Sequence, residues 1–238
     1  MRSLHDMLVE AANRPGPEGA SRRHVLAALG VAGAAAPLAF GAGSGLAQVN
    51  SEGKNKNNKK KNKRKKKNKQ KQNDIDILNY ALTLEHLEYA FYRDGLTTYN
   101  SDAQFTIAGF PPGTYQRFIQ IRDHEQTHVN ALSQTISGLG GKPVAECTYN
   151  FGYTDIQGFV DTAQLLENTG VSAYDGALAL INAADLQTTG ATIATVEARH
   201  ASYLNSVNGD DPFPAAFDTA KSQADILAAA GGFIVSCP

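Results

Sequence analysis

Two Glu-x-x-His tetrapeptides are the residues of this sequence best suited to chemistry, and they lie at Glu125–His128 and Glu197–His200. On an α-helix, residues i and i+3 lie on one face about a turn apart, so each tetrapeptide directs a carboxylate and an imidazole at one point. Residues 74–238 contain only six Glu and four His, so this spacing should arise by chance roughly 0.1 to 0.2 times. Its occurrence twice indicates a metal-binding site.

Glu167 and Glu85 complete the expected ligand set. A dinuclear carboxylate site in a four-helix bundle takes one Glu from each of two helices and a Glu-x-x-His pair from each of the other two. Glu167 is followed seven residues later, or two helical turns, by Tyr174, and Glu85 is followed at the same spacing by Tyr92. This internal repeat favours Glu85 over Glu88, which stays as the alternative ligand.

The charge of these side chains also indicates bound cations. Four carboxylates that converge in a protein core repel one another and lose hydration, unless they take up protons or cations compensate them. Two divalent ions would cancel the four charges. Residues 74–238 carry 13 Asp but only six Glu, and four of those Glu occupy the predicted ligand positions. Surface pairing on helices is therefore a weak alternative explanation for them.

Apolar residues recur at helical spacing from Asp74 onward, and Gly and Pro punctuate the pattern. The sequence therefore predicts one folded domain over residues 74–238, which is all-α: a bundle of four long helices with a short additional C-terminal helix. No stretch shows sustained strand alternation, and a polar loop follows the first helix. The predicted helices cover residues 74–95, 111–138, 156–182, 188–207 and 215–230.

The stretch Leu78–Arg93 resembles the first helix of ferritin-like proteins, and residues 74–210 resemble the exported, desiccation-associated branch of that superfamily. The resemblance implies a four-helix bundle with a centre of two Fe ions, or alternatively two Mn ions. It also implies that Tyr92 and Tyr174 hydrogen-bond a ligand carboxylate or supply an electron. The implied ligands are the bridging carboxylates Glu125 and Glu197, the terminal carboxylates Glu85 and Glu167, and one imidazole per metal from His128 and His200.

His86 and His124 adjoin predicted ligands in the sequence. A neighbouring residue on a helix points about 100° away, so we expect these two imidazoles to lie beside the site or on the surface rather than to bind metal.

The first 47 residues are typical of an export signal. The pair Arg22-Arg23 precedes the apolar run Val25–Leu46, and Gly45-Leu46-Ala47 is a small-x-small cleavage site. The alternative is a retained membrane anchor, which Pro37 and the many Ala and Gly residues disfavour. A twin-arginine signal would place the folded protein in the periplasm, the cell envelope or the extracellular space.

Residues 48–73 form a Lys- and Asn-rich segment that we expect to be a disordered linker. Residues 51–72 hold 12 Lys and Arg, whereas residues 74–238 hold 6 against 19 Asp and Glu. Residues 50–73 are therefore either a tether to an anionic cell-envelope polymer or a solvated spacer. Nucleic acid is a weaker candidate partner, because the segment has no interleaved aromatic residues.

Cys147 and Cys237 are the two cysteines of the chain. In an oxidising compartment a disulfide bond between them would attach the C-terminal tail to the connection after the second helix. The closed loop of about 90 residues would stabilise the fold by about 4 kcal/mol in the chain-entropy model. Two free thiols are the alternative.

The predicted function is oxidation of ferrous iron by O₂, or consumption of hydrogen peroxide, in protection against oxidative or drying stress. The acidic body, the basic segment and the export signal set the chain apart from storage ferritins, and we expect a homodimer rather than a cage. The alternative function is a structural or surface-binding module that works through its lysine-rich segment.

Overall fold

A computed structural model describes residues 52–238, with side chains from residue 59 onward. The predicted export signal at residues 1–47 lies outside the described residues. Within the described chain, residues 69–238 form the helical bundle, and residues 52–68 belong to a second unit.

Four long helices, named α1, α3, α4 and α5, dominate the bundle, and this confirms the predicted all-α fold. In the described part of the chain, the remaining elements are two short helices, one 3₁₀ turn and two short strands. In chain order the elements of the described residues are α1 (Glu52–Thr98), α2 (Asp102–Ile107), α3 (Thr114–Gly138), β1 (Thr148–Tyr149), α4 (Ile156–Leu178), α5 (Ala184–Val207), α6 (Gln223–Ala230), the 3₁₀ turn Gly231–Phe233 and β2 (Ile234–Ser236).

The lysine-rich segment differs from the expected disordered linker, because the structure places residues 52–73 within helix α1. Lys, Arg and Gln are good helix formers, and the segment contains no Pro and only one Gly, Gly53. Residues 59–72 are exposed. The bundle part of α1 is attached at its start, where Asp74 Oδ1 accepts a hydrogen bond of 2.7 Å from the backbone N–H of Asn182.

Several helix ends differ from the sequence prediction, among them the start of α3 at Thr114, the end of α4 at Leu178 and the start of α5 at Ala184. Two further differences have identifiable reasons. Helix α1 continues past Gly95, where a Cβ atom would come within 2.1 Å of the Phe159 ring; this glycine permits close packing instead of ending the helix. Helix α6 begins at Gln223 rather than near residue 215, because Ser222 caps it by accepting a hydrogen bond from the Asp225 N–H.

Aromatic side chains fill one end of the bundle, around the end of α1 and the starts of α3 and α4. The Phe159 ring lies 4.8 Å from that of Phe91 and 5.4 Å from that of Phe118, centroid to centroid. Aliphatic side chains such as Ile77, Leu132 and Ile181 pack at the other end. The middle of the bundle therefore lies between two apolar layers that exclude water.

The short helix α2 lies where the sequence pattern predicted only a polar loop, and it holds the start of α3. Asp102 in α2 accepts hydrogen bonds from the backbone N–H groups of Gly113 at 2.9 Å and Tyr115 at 3.4 Å. Asp155 caps α4 by accepting from the Gly158 N–H at 2.8 Å. These carboxylates satisfy N–H groups that a helix start leaves free.

Cys147 and Cys237 form a disulfide bond. Beside it, β1 pairs with β2 as a small antiparallel sheet in which Thr148 lies opposite Ser236. The C-terminal segment is thus attached to the connection between α3 and α4. None of the helices in the described residues has the length and apolar character needed to cross a membrane.

Candidate metal centre

Six buried side chains from four helices meet in the middle of the bundle. They form two overlapping groups, and in each group the ligand atoms lie within 4.8 Å of one another. Glu125 and Glu197 belong to both groups. Glu85 and His128 complete the first group, whereas Glu167 and His200 complete the second.

A single ring nitrogen of His128 faces three carboxylate oxygens. Its Nδ1 lies 3.1 Å from Glu85 Oε2, 3.0 Å from Glu125 Oε2 and 3.1 Å from Glu197 Oε1. One N–H cannot direct a good hydrogen bond at three acceptors. Two ligand atoms bound at a right angle, each about 2.1 Å from one cation, would be about 3.0 Å apart, which matches this arrangement.

The second group repeats the pattern around His200. Its Nδ1 lies 3.0 Å from Glu125 Oε1 and 3.1 Å from Glu167 Oε2. Although buried, Glu125 Oε1 and both oxygens of Glu197 have no hydrogen bond of acceptable geometry. Buried charged oxygens without donors are costly unless a cation binds them. The donor set therefore fits a metal ion, and the cluster could bind one.

Burial raises the pKa values of the carboxylates, whereas the two imidazoles lower them. Burial raises the pKa of Glu197 well above its usual value, and the nearby charges of Glu125 and Glu167 raise it further. Burial also raises the pKa of Glu85 to about 7. Burial acts in the same direction on Glu125, but the close imidazoles of His128 and His200 outweigh it and lower the pKa of Glu125 to about 2.

Protons compete with metal for the imidazoles. Burial lowers the pKa of His200, but the charge of Glu167 and the carboxylate of Glu125 close to its ring raise it more, to about 10. The pKa of His128 is raised well above its usual value, because its three carboxylate neighbours outweigh its burial. Without metal these rings hold protons that offset part of the negative charge, so metal must displace protons to bind.

The two predicted tyrosines lie at the site and bond across it. The Tyr92 hydroxyl on α1 donates to Glu167 Oε1 on α4 at 2.7 Å, and the Tyr174 hydroxyl on α4 donates to Glu85 Oε1 on α1. Burial raises the pKa of both phenols well above the usual value, so both stay protonated donors.

His124 has a contact that the sequence did not reveal. Its Nδ1 lies 2.9 Å from Nε2 of His200, and the two rings stack with centroids 5.2 Å apart. This exposed imidazole therefore connects solvent with a buried group of the cluster. The only signal in the sequence was its position directly before Glu125. His86 instead has its Nε2 3.3 Å from the Val144 carbonyl oxygen, outside the cluster.

Of the two candidate carboxylates on α1, the structure places Glu85 in the first ligand group. Glu88 is also buried, with 3% of its surface exposed, and lies one turn further along the helix. A Cβ atom added to Gly170 would be 2.9 Å from Glu88 Oε1 and 3.3 Å from Glu197 Oε2. Five of the six Glu residues in 74–238 therefore lie in or beside the cluster.

Comparison with known proteins places these observations in a family. The chain is 28% identical over 165 residues to Protein rds1 of Schizosaccharomyces pombe (strain 972 / ATCC 24843), a match that covers 69% of this chain and 40% of that relative. A crystal structure of a conserved hypothetical protein, rv2844, from Mycobacterium tuberculosis is similar with a TM-score of 0.49 and 23% identity. That match covers 62% of this chain and 99% of the other.

The sequence profile of the ferritin-like domain matches residues 73–210, more than half of the chain. That range contains α3, α4 and α5, the part of α1 from residue 73 onward, and all six side chains of the two ligand groups. The resemblance to ferritin-like proteins is thereby confirmed, and the chain belongs to the ferritin-like domain family.

Proposed function

We propose that this chain is an exported protein that holds two iron ions, or two manganese ions, and oxidises ferrous iron or consumes hydrogen peroxide under oxidative or drying stress. The observation that carries the proposal is the sharing of Glu125 and Glu197 between two ligand groups, each completed by its own carboxylate and imidazole. Shared carboxylates are what a pair of metal ions requires. The Arg22-Arg23 pair in the N-terminal sequence supports export.

The donor atoms support the choice of metal. Four carboxylates with two imidazoles form an oxygen-rich set, which suits iron or manganese better than copper or structural zinc. When bound, the metal pair would supply the electrons that reduce O₂ or peroxide.

The protein residues have distinct tasks around that centre. Glu125 and Glu197 would bind both ions, and Tyr92 and Tyr174 orient the carboxylates that bind one ion each. We propose that the phenols of Tyr92 and Tyr174 also donate electrons, because they adjoin the ligand carboxylates. His124 provides a hydrogen-bonded connection from the surface to His200. The apolar layers on either side keep bulk water from the core.

A second candidate function is a structural or surface-binding module. The observation that favours it is the exposed helical segment 59–72, in which ten of the 14 residues are Lys or Arg. Such a charge density attracts an anionic partner such as a cell-envelope polymer, with strong dependence on salt.

Oxidation assays on matched variants separate the two functions. The wild-type chain, a Glu125→Gln, Glu197→Gln double variant and a Glu146→Gln control would each be mixed with ferrous iron and O₂, or with peroxide. Glu146 pairs with Arg93 outside the cluster. We expect the double variant to lose the activity and the control to retain it. Equal rates in all three proteins would contradict the proposal.

Deletion of residues 50–68 tests the second candidate. These residues lie outside the bundle unit, so we expect oxidation to persist in the shortened protein. Binding to anionic polymer such as teichoic acid or heparin should disappear if the segment is a tether. Unchanged polymer binding after the deletion would rule out the segment as the tether.

A further inference from the structure

The bundle contains a sequence repeat with one mismatched position. Two helices, α1 and α4, each carry three residues at positions i, i+3 and i+7 of one face. The outer members match, since each helix has a carboxylate and a tyrosine that bonds to the carboxylate of the other. The middle members differ, and the two triplets are Glu85, Glu88 and Tyr92 against Glu167, Gly170 and Tyr174.

The mismatched pair is in contact, because Glu88 occupies the space that Gly170 leaves. A Cβ atom at position 170 would lie 2.9 Å from Glu88 Oε1, closer than real Cβ contacts allow, so the Glu88 carboxyl group would have to shift to make room for it. The same Cβ would lie 3.3 Å from Glu197 Oε2. The missing side chain thus gives two carboxylates access to one small space.

The largest effects of charge on Glu88 come from groups of the same sign as its own. Burial raises the pKa of the Glu88 carboxyl group well above its usual value. The negative charges of Glu197, Glu167, Glu85 and Glu125 raise it further. Glu197 Oε1 lies 3.1 Å from His128 Nδ1 without a well-directed hydrogen bond, and Glu197 Oε2 has no hydrogen-bond partner. A side chain that only filled space at this position would be less costly as an apolar residue. A second carboxylate beside the space that Glu197 Oε2 adjoins is instead suited to a cation.

We propose that Glu88 is a fifth carboxylate ligand of the metal centre and binds on the Gly170 side, beside Glu197 Oε2. The inference rests on the proposed metal centre and extends its ligand set beyond the six residues of the two ligand groups. Because α4 has no carboxylate that corresponds to Glu88, the two metal positions are chemically different. One ion can gain an additional anionic ligand that the other lacks.

Two variants distinguish ligation by Glu88 from a simple effect of its charge. Glu88→Gln removes the charge with little change in shape. Gly170→Ala retains the charge but adds a methyl group where the carboxylate lies. Loss of a ligand predicts that both variants weaken metal binding, whereas an effect of charge alone predicts that only Glu88→Gln does.

Matched controls exist for both substitutions. Glu146→Gln changes the one Glu of residues 74–238 that lies outside the cluster. Gly158→Ala adds the same methyl group to the same helix, where the nearest atom would be 3.4 Å away in ordinary contact. If Gly170→Ala does not fold, Glu88→Asp takes its place, because it withdraws the carboxylate by one methylene and adds no bulk.

In the experiment, the metal-free full-length chain is titrated with Co²⁺. Calorimetry measures the affinity, and the visible absorption of bound Co²⁺ reports the coordination number. We expect Glu88→Gln and Gly170→Ala each to weaken binding at least about tenfold and to alter the spectrum, while both controls behave as wild type. Unchanged binding and spectra in both variants, or a change in Glu88→Gln alone, would overturn the inference. If wild type itself binds no Co²⁺, the proposed metal centre fails and the inference fails with it.

Discussion

The hydroxyl of Tyr92 donates to Glu167 Oε1 at 2.7 Å, while the other oxygen of the same carboxylate lies 3.1 Å from His200 Nδ1. Tyr174 and His128 hold the two oxygens of Glu85 in the same way. Each of these two carboxylates therefore has one oxygen held by a phenol from the other helix and one directed at an imidazole. This arrangement leaves one oxygen of each for a metal ion.

Removal of either hydroxyl should weaken the site. We expect Tyr92→Phe and Tyr174→Phe each to lower the free energy of unfolding of the metal-free protein by about 1.5–3 kcal/mol, because a hydrogen bond to a charged acceptor is lost. Metal affinity should also fall, since the carboxylates lose their orientation. Urea unfolding and calorimetric metal titration measure the two effects.

Tyr80→Phe is the matched control for these substitutions. Tyr80 is also buried, but its hydroxyl has no hydrogen-bond partner, so its removal should be neutral or slightly stabilising. Equal destabilisation by all three substitutions would show that the cross-helix bonds have no special role.

The metal-free protein should lose stability as the pH rises. The folded state raises the pKa of Glu85 to about 7 from 4.5 and that of His200 to about 10 from 6.5. Raised values mean that each contribution is complete below the unfolded pKa and is lost as pH rises through the folded pKa. Melting temperatures of the metal-free protein should therefore fall between about pH 5 and pH 9.

Metal should remove most of this pH dependence, because bound cations replace the protons that offset the carboxylate charges. Differential scanning calorimetry with and without Mn²⁺ provides the comparison. A metal-free protein that becomes more stable from pH 5 to pH 9 would contradict the charge balance described for the cluster.

The parts of the site found from sequence are those that depend on spacing along one helix. The Glu-x-x-His pairs and the Glu-to-Tyr spacing of seven residues place side chains on one face whatever the neighbouring helices do. This is why the spacing could favour Glu85 over Glu88 and pair Glu85 and Glu167 with the two tyrosines, whose role the resemblance implied.

Features that depend on contacts between distant segments could not be found in this way. The contact of His124 with His200 joins positions 76 residues apart, and the pairing of Thr148 with Ser236 joins β1 to β2. Gly95 is a residue type typical of a helix end, yet the Phe159 ring from another helix requires it inside one. Such contacts are determined by packing, which the local pattern does not encode.

Loss of the Cys147–Cys237 disulfide bond should destabilise the bundle. The bond closes a sequence separation of 90 residues, so a Cys147→Ser, Cys237→Ser variant should lose about 4 kcal/mol of unfolding free energy in the chain-entropy model. Urea unfolding checks the value. Wild type treated with reductant should match the variant, and a variant as stable as oxidised wild type would contradict the prediction.

Gly95→Ala should disturb the aromatic end of the bundle. The added Cβ would meet the Phe159 ring at 2.1 Å, and that ring is held by Phe91 and Phe118, so we expect a loss of about 1–3 kcal/mol. Gly158→Ala, where the nearest atom would be 3.4 Å from the added Cβ, should be neutral or stabilising. Thermal unfolding of the two variants measures this difference in stability. Similar melting temperatures would contradict the close packing of Gly95 against Phe159.

The metal content of the purified protein tests the dinuclear centre most directly. Elemental analysis would be made on protein purified without added metal and again after loading with Fe²⁺ or Mn²⁺, beside the Glu125→Gln, Glu197→Gln variant. The shared carboxylates predict about two ions per chain in wild type, as a dinuclear bundle site requires, and their loss in the variant. A folded wild-type protein that contains no metal and cannot be loaded would contradict the account.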